Sequence, residues 1–134
     1  TEAEWEYACR AGTTTDFFSG DMPENYLPCG SPTLASVGWF CGNADGETNP
    51  VQERQPNAFG MYDMHGNLWE WCNDWYAEYD AGETVDPVGP ATSDVGKVFR
   101  GGSWYSEVRD CRSANRYAYP SSVFMGFRPA RTAP

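Results

Sequence analysis

The sequence predicts an α+β domain in which regular structure is sparse: a short helix, a few short strands and long irregular connections. Three observations lead there. A capped helical pattern opens the chain at Thr1–Ala11, strand patterns recur at Trp69-Glu70-Trp71 and Val98–Trp104, and stretches dense in Gly and Pro lie between them. At 134 residues the chain is one domain, with no internal repeat and no linker.

Taken in order, Thr1 and Glu4 form a capping-box pattern, Trp5, Ala8 and Cys9 share one face, and Gly12 supplies a stop. Residues 13–56 are punctuated by Pro23, Pro28, Pro32, Pro50 and Pro56, with Val37–Cys41 as a short apolar strand. Asn43–Thr48 is rich in oxygen donors but lacks the spacing of a helix-loop-helix calcium site, so it reads first as a turn. Residues 77–96 form a second loop, and Val85–Pro90 is extended or turning. Val98–Trp104 is a strand that ends in a Gly101-Gly102 bend. Tyr117–Phe124 and Gly126–Arg128 follow.

The chain is organised around residues 57–76. Trp69, Trp71 and Trp75 gather there with Phe59, Tyr62 and Tyr76, and this apolar mass predicts the core. Asp63, Asn67, Glu70, Asn73 and Asp74 lie between the rings. Two readings stay open at this point: a core clipped to a hard cation, or a core with solvated acids at its turns.

Charge narrows the partners. Nine Lys and Arg stand against nineteen Asp and Glu, a net charge of −10. This argues against nucleic acid and anionic membrane surfaces as partners, since phosphate contacts need cationic side chains, and no membrane insertion is expected. No apolar run reaches membrane-spanning length. Five cysteines with a single histidine and no Cys-x-x-Cys pair favour disulfides over a metal cluster, with at least one thiol left over. The pair Cys29 and Cys41 brackets one irregular loop and is expected to bridge, whereas Cys72, following the Trp-Glu-Trp strand, is expected to be a buried thiol. Acidity and disulfides together suggest an extracytoplasmic or secreted protein. His65 reads as a packed residue rather than a catalytic base.

The motif Gly60-Met-Tyr-Asp-Met-His-Gly-Asn-Leu-Trp-Glu-Trp71, followed by Val98-Phe-Arg-Gly-Gly-Ser-Trp104 and Gly126-Phe-Arg128, resembles the formylglycine-generating enzyme (sulfatase-modifying factor) family. Thr1-Glu-Ala-Glu-Trp-Glu-Tyr7 resembles that family's helix, so the likeness runs nearly end to end. It implies a variant of the C-type lectin fold, and it implies that the N-terminal part of the domain precedes Thr1. The family includes cysteine-oxidising enzymes, iron-dependent sulfur transferases and non-catalytic display domains, so membership alone does not fix activity.

The resemblance carries specific expectations. Cys9 and Cys111 match cysteines that pair in the family. The family binds calcium at its Gly-Asn-x-Trp-Glu-Trp motif, which here implies the side chains of Asp63 and Glu70 and the carbonyls of Gly66 and Leu68. The copper-binding cysteine pair of the oxidases falls at Ser106 and, on ungapped counting, Cys111; alternatively Cys111 aligns with the structural cysteine. Either way the pair is broken, and a serine hydroxyl is a poor ligand for Cu(I). The expected function is therefore non-catalytic binding of a protein or small-molecule ligand by a calcium-stabilised domain. The face after the Arg-Gly-Gly-Ser-Trp strand supplies the contacts: Trp104, Tyr105, Ser106, Glu107, Arg109, Tyr117, Tyr119, Ser121 and Phe124. The alternatives are a formylglycine-generating or related oxidoreductase, and a structural accessory module of a larger protein. The resemblance also links this face to the variable proteins of diversity-generating retroelements.

Overall fold

The computed structural model describes residues 1–79, 82, 87–119 and 125–130. The opening helix, α1 (Glu2–Arg10), is closed at its start by a complete capping box between Thr1 and Glu4. It ends with Ala11 in the left-handed conformation, one residue before Gly12. A one-turn helix, α2 (Pro32–Ala35), was not foreseen; Ser31 caps it and Pro32 begins it.

Six short strands follow among the described residues. The strands β1 (Gly38–Trp39) and β2 (His65–Gly66) pair in parallel. Their approach is so close that a Cβ at Gly66 would sit 1.9 Å from the Trp39 carbonyl oxygen. The main sheet holds β3 (Trp69–Trp75), β4 (Lys97–Arg100), β5 (Arg116–Tyr119) and β6 (Met125–Phe127) in the order β5-β4-β3-β6. Pairs β3–β4 and β4–β5 are antiparallel, and β6 lies parallel to β3.

Strand alternation gives the sheet two unlike faces. Glu70, Cys72 and Asp74 of β3, with Val98 and Arg100 of β4, are buried beneath α1. Trp5, Cys9, Met64, Cys72 and Val98 form one apolar cluster there. A second cluster of Phe17, Leu34, Val37, Phe40, Val108 and Cys111 fills the space under the loops. The opposite face carries Trp69 and Trp71, which are only half-buried, so the aromatic stretch is not wholly core as the sequence suggested.

Charge also joins the helix to the sheet. Arg100 is fully buried and reaches Glu6, Glu2 (3.5 Å) and the carbonyls of Ser113, Ala114 and Asn115. Arg116 pairs with Glu2 at 2.6 Å, and the Glu2 N–H donates to Asp74 Oδ2 at 2.7 Å. Removing one member of such a set strands the others away from water. Arg100→Met is therefore expected to cost about 3–5 kcal/mol of folding stability. Urea unfolding that shows a loss under about 1 kcal/mol would mean that Arg116 alone suffices to hold the buried Glu2.

Candidate functional site

The loop after β4 is built by a bend, a disulfide and a serine pair. Gly101 and Gly102 both have positive φ, and a Cβ at Gly102 would meet the Cys111 sulfur at 2.5 Å. The Cys29–Cys41 disulfide forms as expected, with a Cα–Cα distance of 5.2 Å. It sits against the loop: the Cys41 N–H donates to the Ser106 carbonyl at 3.1 Å, and the Val108 N–H donates to the Pro28 carbonyl at 2.8 Å.

Ser106 itself is buried, which corrects its assignment to the ligand face. Its Oγ accepts the Ser103 N–H at 3.0 Å and lies 3.1 Å from Ser103 Oγ. It closes the turn from beneath, while Tyr105 beside it is exposed. Trp104 is half-buried and meets Tyr105 edge-on at 5.7 Å. Glu107 and Arg109 pair with each other at 3.1 Å on the surface. Ser121 and Phe124 lie outside the described residues.

Tyr117 and Tyr119 stand on the outer face of the sheet, where Tyr117 joins an aromatic array that the sequence did not reveal. Trp69 packs edge-on against Phe99 at 5.1 Å and Tyr117 at 5.6 Å, and Trp71 meets Phe99 at 5.5 Å. Phe127 lies at the β6 edge, 79% exposed. The strand register places Trp69, Trp71, Asn73, Trp75, Lys97, Phe99, Tyr117, Tyr119, Met125 and Phe127 on this side, without a carboxylate among them. The signal was available in the alternation of β3, but alternation does not say which face is covered.

The four calcium-ligand candidates line one cavity of about 520 Å³, together with Gln52, Asn67 and Arg128. Asp63 and Asn67 adopt positive φ values of 56° and 63°. The Asp63 Oδ2 accepts the Gln52 N–H at 2.8 Å, whereas Oδ1 is buried without a partner. Glu70 is more heavily engaged: it accepts from Trp5 Nε1 at 2.7 Å and from Arg128 at 2.7 and 3.0 Å. Asp63 Oδ1 thus remains open to a cation or another donor, while Glu70 already faces a guanidinium. Among the described residues there is no group of three or more His, Cys, Asp or Glu side chains placed to hold a metal.

The Cys9–Cys111 bridge implied by the family likeness is not formed; both are buried free thiols, as is Cys72. The reason is local. Cys9 Sγ faces the His65 ring at 3.8 and 3.9 Å and Ser113 Oγ at 3.6 Å. Cys111 lies beyond that ring, with its carbonyl 2.8 Å from His65 Nδ1. Burial pushes the Cys9 and Cys72 thiols up to about 12, so neither is a ready nucleophile.

His65 is fully buried between Phe17 and Phe18. Its Nε2 accepts the Phe18 N–H at 3.3 Å, which leaves Nδ1 to donate to the Cys111 carbonyl. Burial is the main cause lowering its pKa to about 4, against the opposing effect of that hydrogen bond.

Residues 1–133 match the family described as the sulfatase-modifying factor enzyme 1-like domain. A serine/threonine-protein kinase pkn1 from Chlamydia caviae is 39% identical over 98% of this chain, which covers 20% of the kinase. A formylglycine-generating enzyme from Streptomyces coelicolor is 35% identical over 99% of this chain and 46% of its own length. Variable protein 1 of Treponema denticola superposes with a TM-score of 0.81 at 34% identity, covering 95% of this chain and 44% of that one. The chain therefore spans less than half the length of each of these relatives.

Two measurements follow from the buried thiols and imidazole. After denaturation without reductant, three thiols per chain are expected to react with a thiol reagent, against one if Cys9 and Cys111 were bridged. For His65, the unfolded chain binds the extra proton between about pH 6.5 and 4, so stability falls on acidification through that window. At about 1.36 kcal/mol per pKa unit the loss is roughly 3 kcal/mol. A His65→Asn variant, although less stable, is expected to lack that part of the pH slope in chemical unfolding; an unchanged slope would assign it to carboxylates.

Proposed function

The chain belongs to the sulfatase-modifying factor enzyme 1-like domain family, and on that premise we propose that it is a non-catalytic binding domain whose contact surface is the outer aromatic face of the sheet. The observation that carries this reading is the concentration of rings on a face without acids. In a chain of net charge −10, the array of Trp69, Phe99 and Tyr117 is flanked by Tyr119 and Phe127, which are 62% and 79% exposed. Large rings that stay in water without a partner are the usual anchors of recognition surfaces. The Trp104–Tyr105 turn is tied to the segment just before β3, because the Trp104 N–H donates to the Asn67 carbonyl, two residues before Trp69.

Two further features support binding over oxidation. The first copper position holds Ser106, whose hydroxyl is turned inward onto Ser103. A similar domain occurs within a kinase and a variable protein as well as a formylglycine-generating enzyme, which suits a module that recognises a target. The Cys29–Cys41 disulfide supports an extracytoplasmic or secreted setting, since such bonds persist in oxidising compartments. No helix among the described residues is long and apolar enough to cross a membrane.

A peptide and glycan array tests the surface. Hits bound by the native protein are expected to weaken by roughly tenfold or more in Tyr119→Ala and Phe127→Ala variants that melt normally. Hits that survive both changes would remove the sheet face from the proposal.

Calcium is proposed at Asp63, Glu70 and the carbonyls of Gly66 and Leu68. The unpartnered Asp63 Oδ1 supports it. The ion would hold the turn that orients β3, and no step of chemistry is asked of it. Melting is expected to fall with EDTA and recover with added calcium, and Asp63→Ala should abolish both responses. Indifference to EDTA and calcium would leave Arg128 as the sole counter-charge of Glu70.

A further inference from the structure

Arg54 stands apart from the other arginines. Arg10, Arg100, Arg109, Arg112, Arg116 and Arg128 each have a carboxylate within ion-pair distance. Arg54 has none among the described residues, although Glu53 is next to it in the chain and acids outnumber bases two to one. Its guanidinium lies instead over the Trp39 ring, 3.5 Å from the centroid. Arg54 Nε and Trp39 Nε1 are both shielded from solvent, and neither meets an acceptor.

Two N–H donors held together without an acceptor carry the cost of desolvation with nothing returned. In a protein with so many carboxylates, evolution or chance would readily place one there. A stacked guanidinium can still offer its planar edge to a bidentate partner once that edge is uncovered, and stacking fixes the orientation of the edge. The backbone around it is pinned: the Gln55 N–H donates to the Ser36 carbonyl, and the Asn67 N–H donates to the Trp39 carbonyl at 2.7 Å. Asn67 in turn accepts the Trp104 N–H, so the Trp39 backbone is tied through Asn67 to the Trp104–Tyr105 turn, whose Tyr105 is exposed. A cation edge beside aromatic rings matches a peptide that carries a carboxylate.

We propose that the Arg54–Trp39 stack is a carboxylate-recognition site, which takes an acidic side chain or the C-terminal carboxylate of a bound peptide. A small slide of the guanidinium along the indole would bring Nε–H and one Nη–H onto the carboxylate oxygens side by side. The net negative charge of the chain opposes anions at long range, but screening confines that field to about 8 Å at physiological salt. The contact is therefore decided by the local unpaired cation. This site is independent of the sheet-face reading, because it can bind even where Tyr119 and Phe127 contribute nothing.

The test is an NMR titration that follows the indole N–H of Trp39 and the Nε–H of Arg54. The probes are acetyl-Gly-Glu-Gly-amide, acetyl-Gly-Gln-Gly-amide and acetyl-Gly-Gly-Gly with a free C-terminus. Saturable shifts of both signals with a carboxylate probe, and not with the glutamine probe, are expected. The two carboxylate probes decide between a side chain and a chain terminus as the source. R54Q is expected to weaken the response at Trp39 by roughly tenfold, and R54K, which keeps the charge but loses the fork, by less. Equal shifts from the glutamine probe would overturn the proposal, as would no shift up to the solubility limit. So would an R54Q protein, folded by its spectrum, that titrates like the native one.

Discussion

The buried guanidinium of Arg100 is the constraint on which the rest depends. It comes from an inner strand of the sheet, is shut off from solvent, and must find its counter-charges and acceptors within the protein. It finds carboxylates on α1 and carbonyls on the 113–115 segment, so helix, sheet and loop are fixed by one side chain. Such a set is better evidence of a unique arrangement than of net stability, since desolvation offsets much of the attraction. Arg116 and Arg128 repeat the device, tying β5 to Glu2 and the end of β6 to Glu70. The inner face of the sheet is thereby committed to polar pairing as well as apolar packing. The rings that alternate with these groups are directed to the other side. An acidic chain acquires a face without acids because the inward positions of its strands have taken them.

The sequence made some of this legible and left the rest dark for physical reasons. The start of α1 could be read because capping is local: Thr1 and Glu4 carry the whole signal. The Cys29–Cys41 bridge was also accessible, because it closes one short irregular loop. The fate of Ser106 was not, since a hydroxyl in a turn faces inward or outward according to the φ values of Gly101 and Gly102. Trp69 and Trp71 looked like core by size, yet alternation fixes only that they share a face with Phe99. The Cys9–Cys111 expectation rested on family likeness and failed on packing, with the His65 ring and Ser113 beside the Cys9 sulfur. The Trp39–Arg54 stack joins separate loop segments, and no spacing rule reaches it.

The turn before β3 holds the remaining tension in the structure. Glu70 is nearly buried and needs positive charge beside it. Arg128 supplies that charge from the end of β6, and its Nη2 also donates to the Tyr62 carbonyl at 3.0 Å. A calcium ion in the adjacent cavity would supply the same charge through Asp63, where an oxygen already lies buried without a donor. The two cations repel each other and draw on one carboxylate, so each weakens the hold of the other on Glu70. Tyr62 gives Arg128 an acceptor that it keeps when Glu70 is shared, and Trp5 Nε1 holds one Glu70 oxygen in place throughout. An ion in the cavity would thus act through Arg128 on the end of the edge strand β6, whose outward residue Phe127 precedes it in the chain and borders the aromatic face.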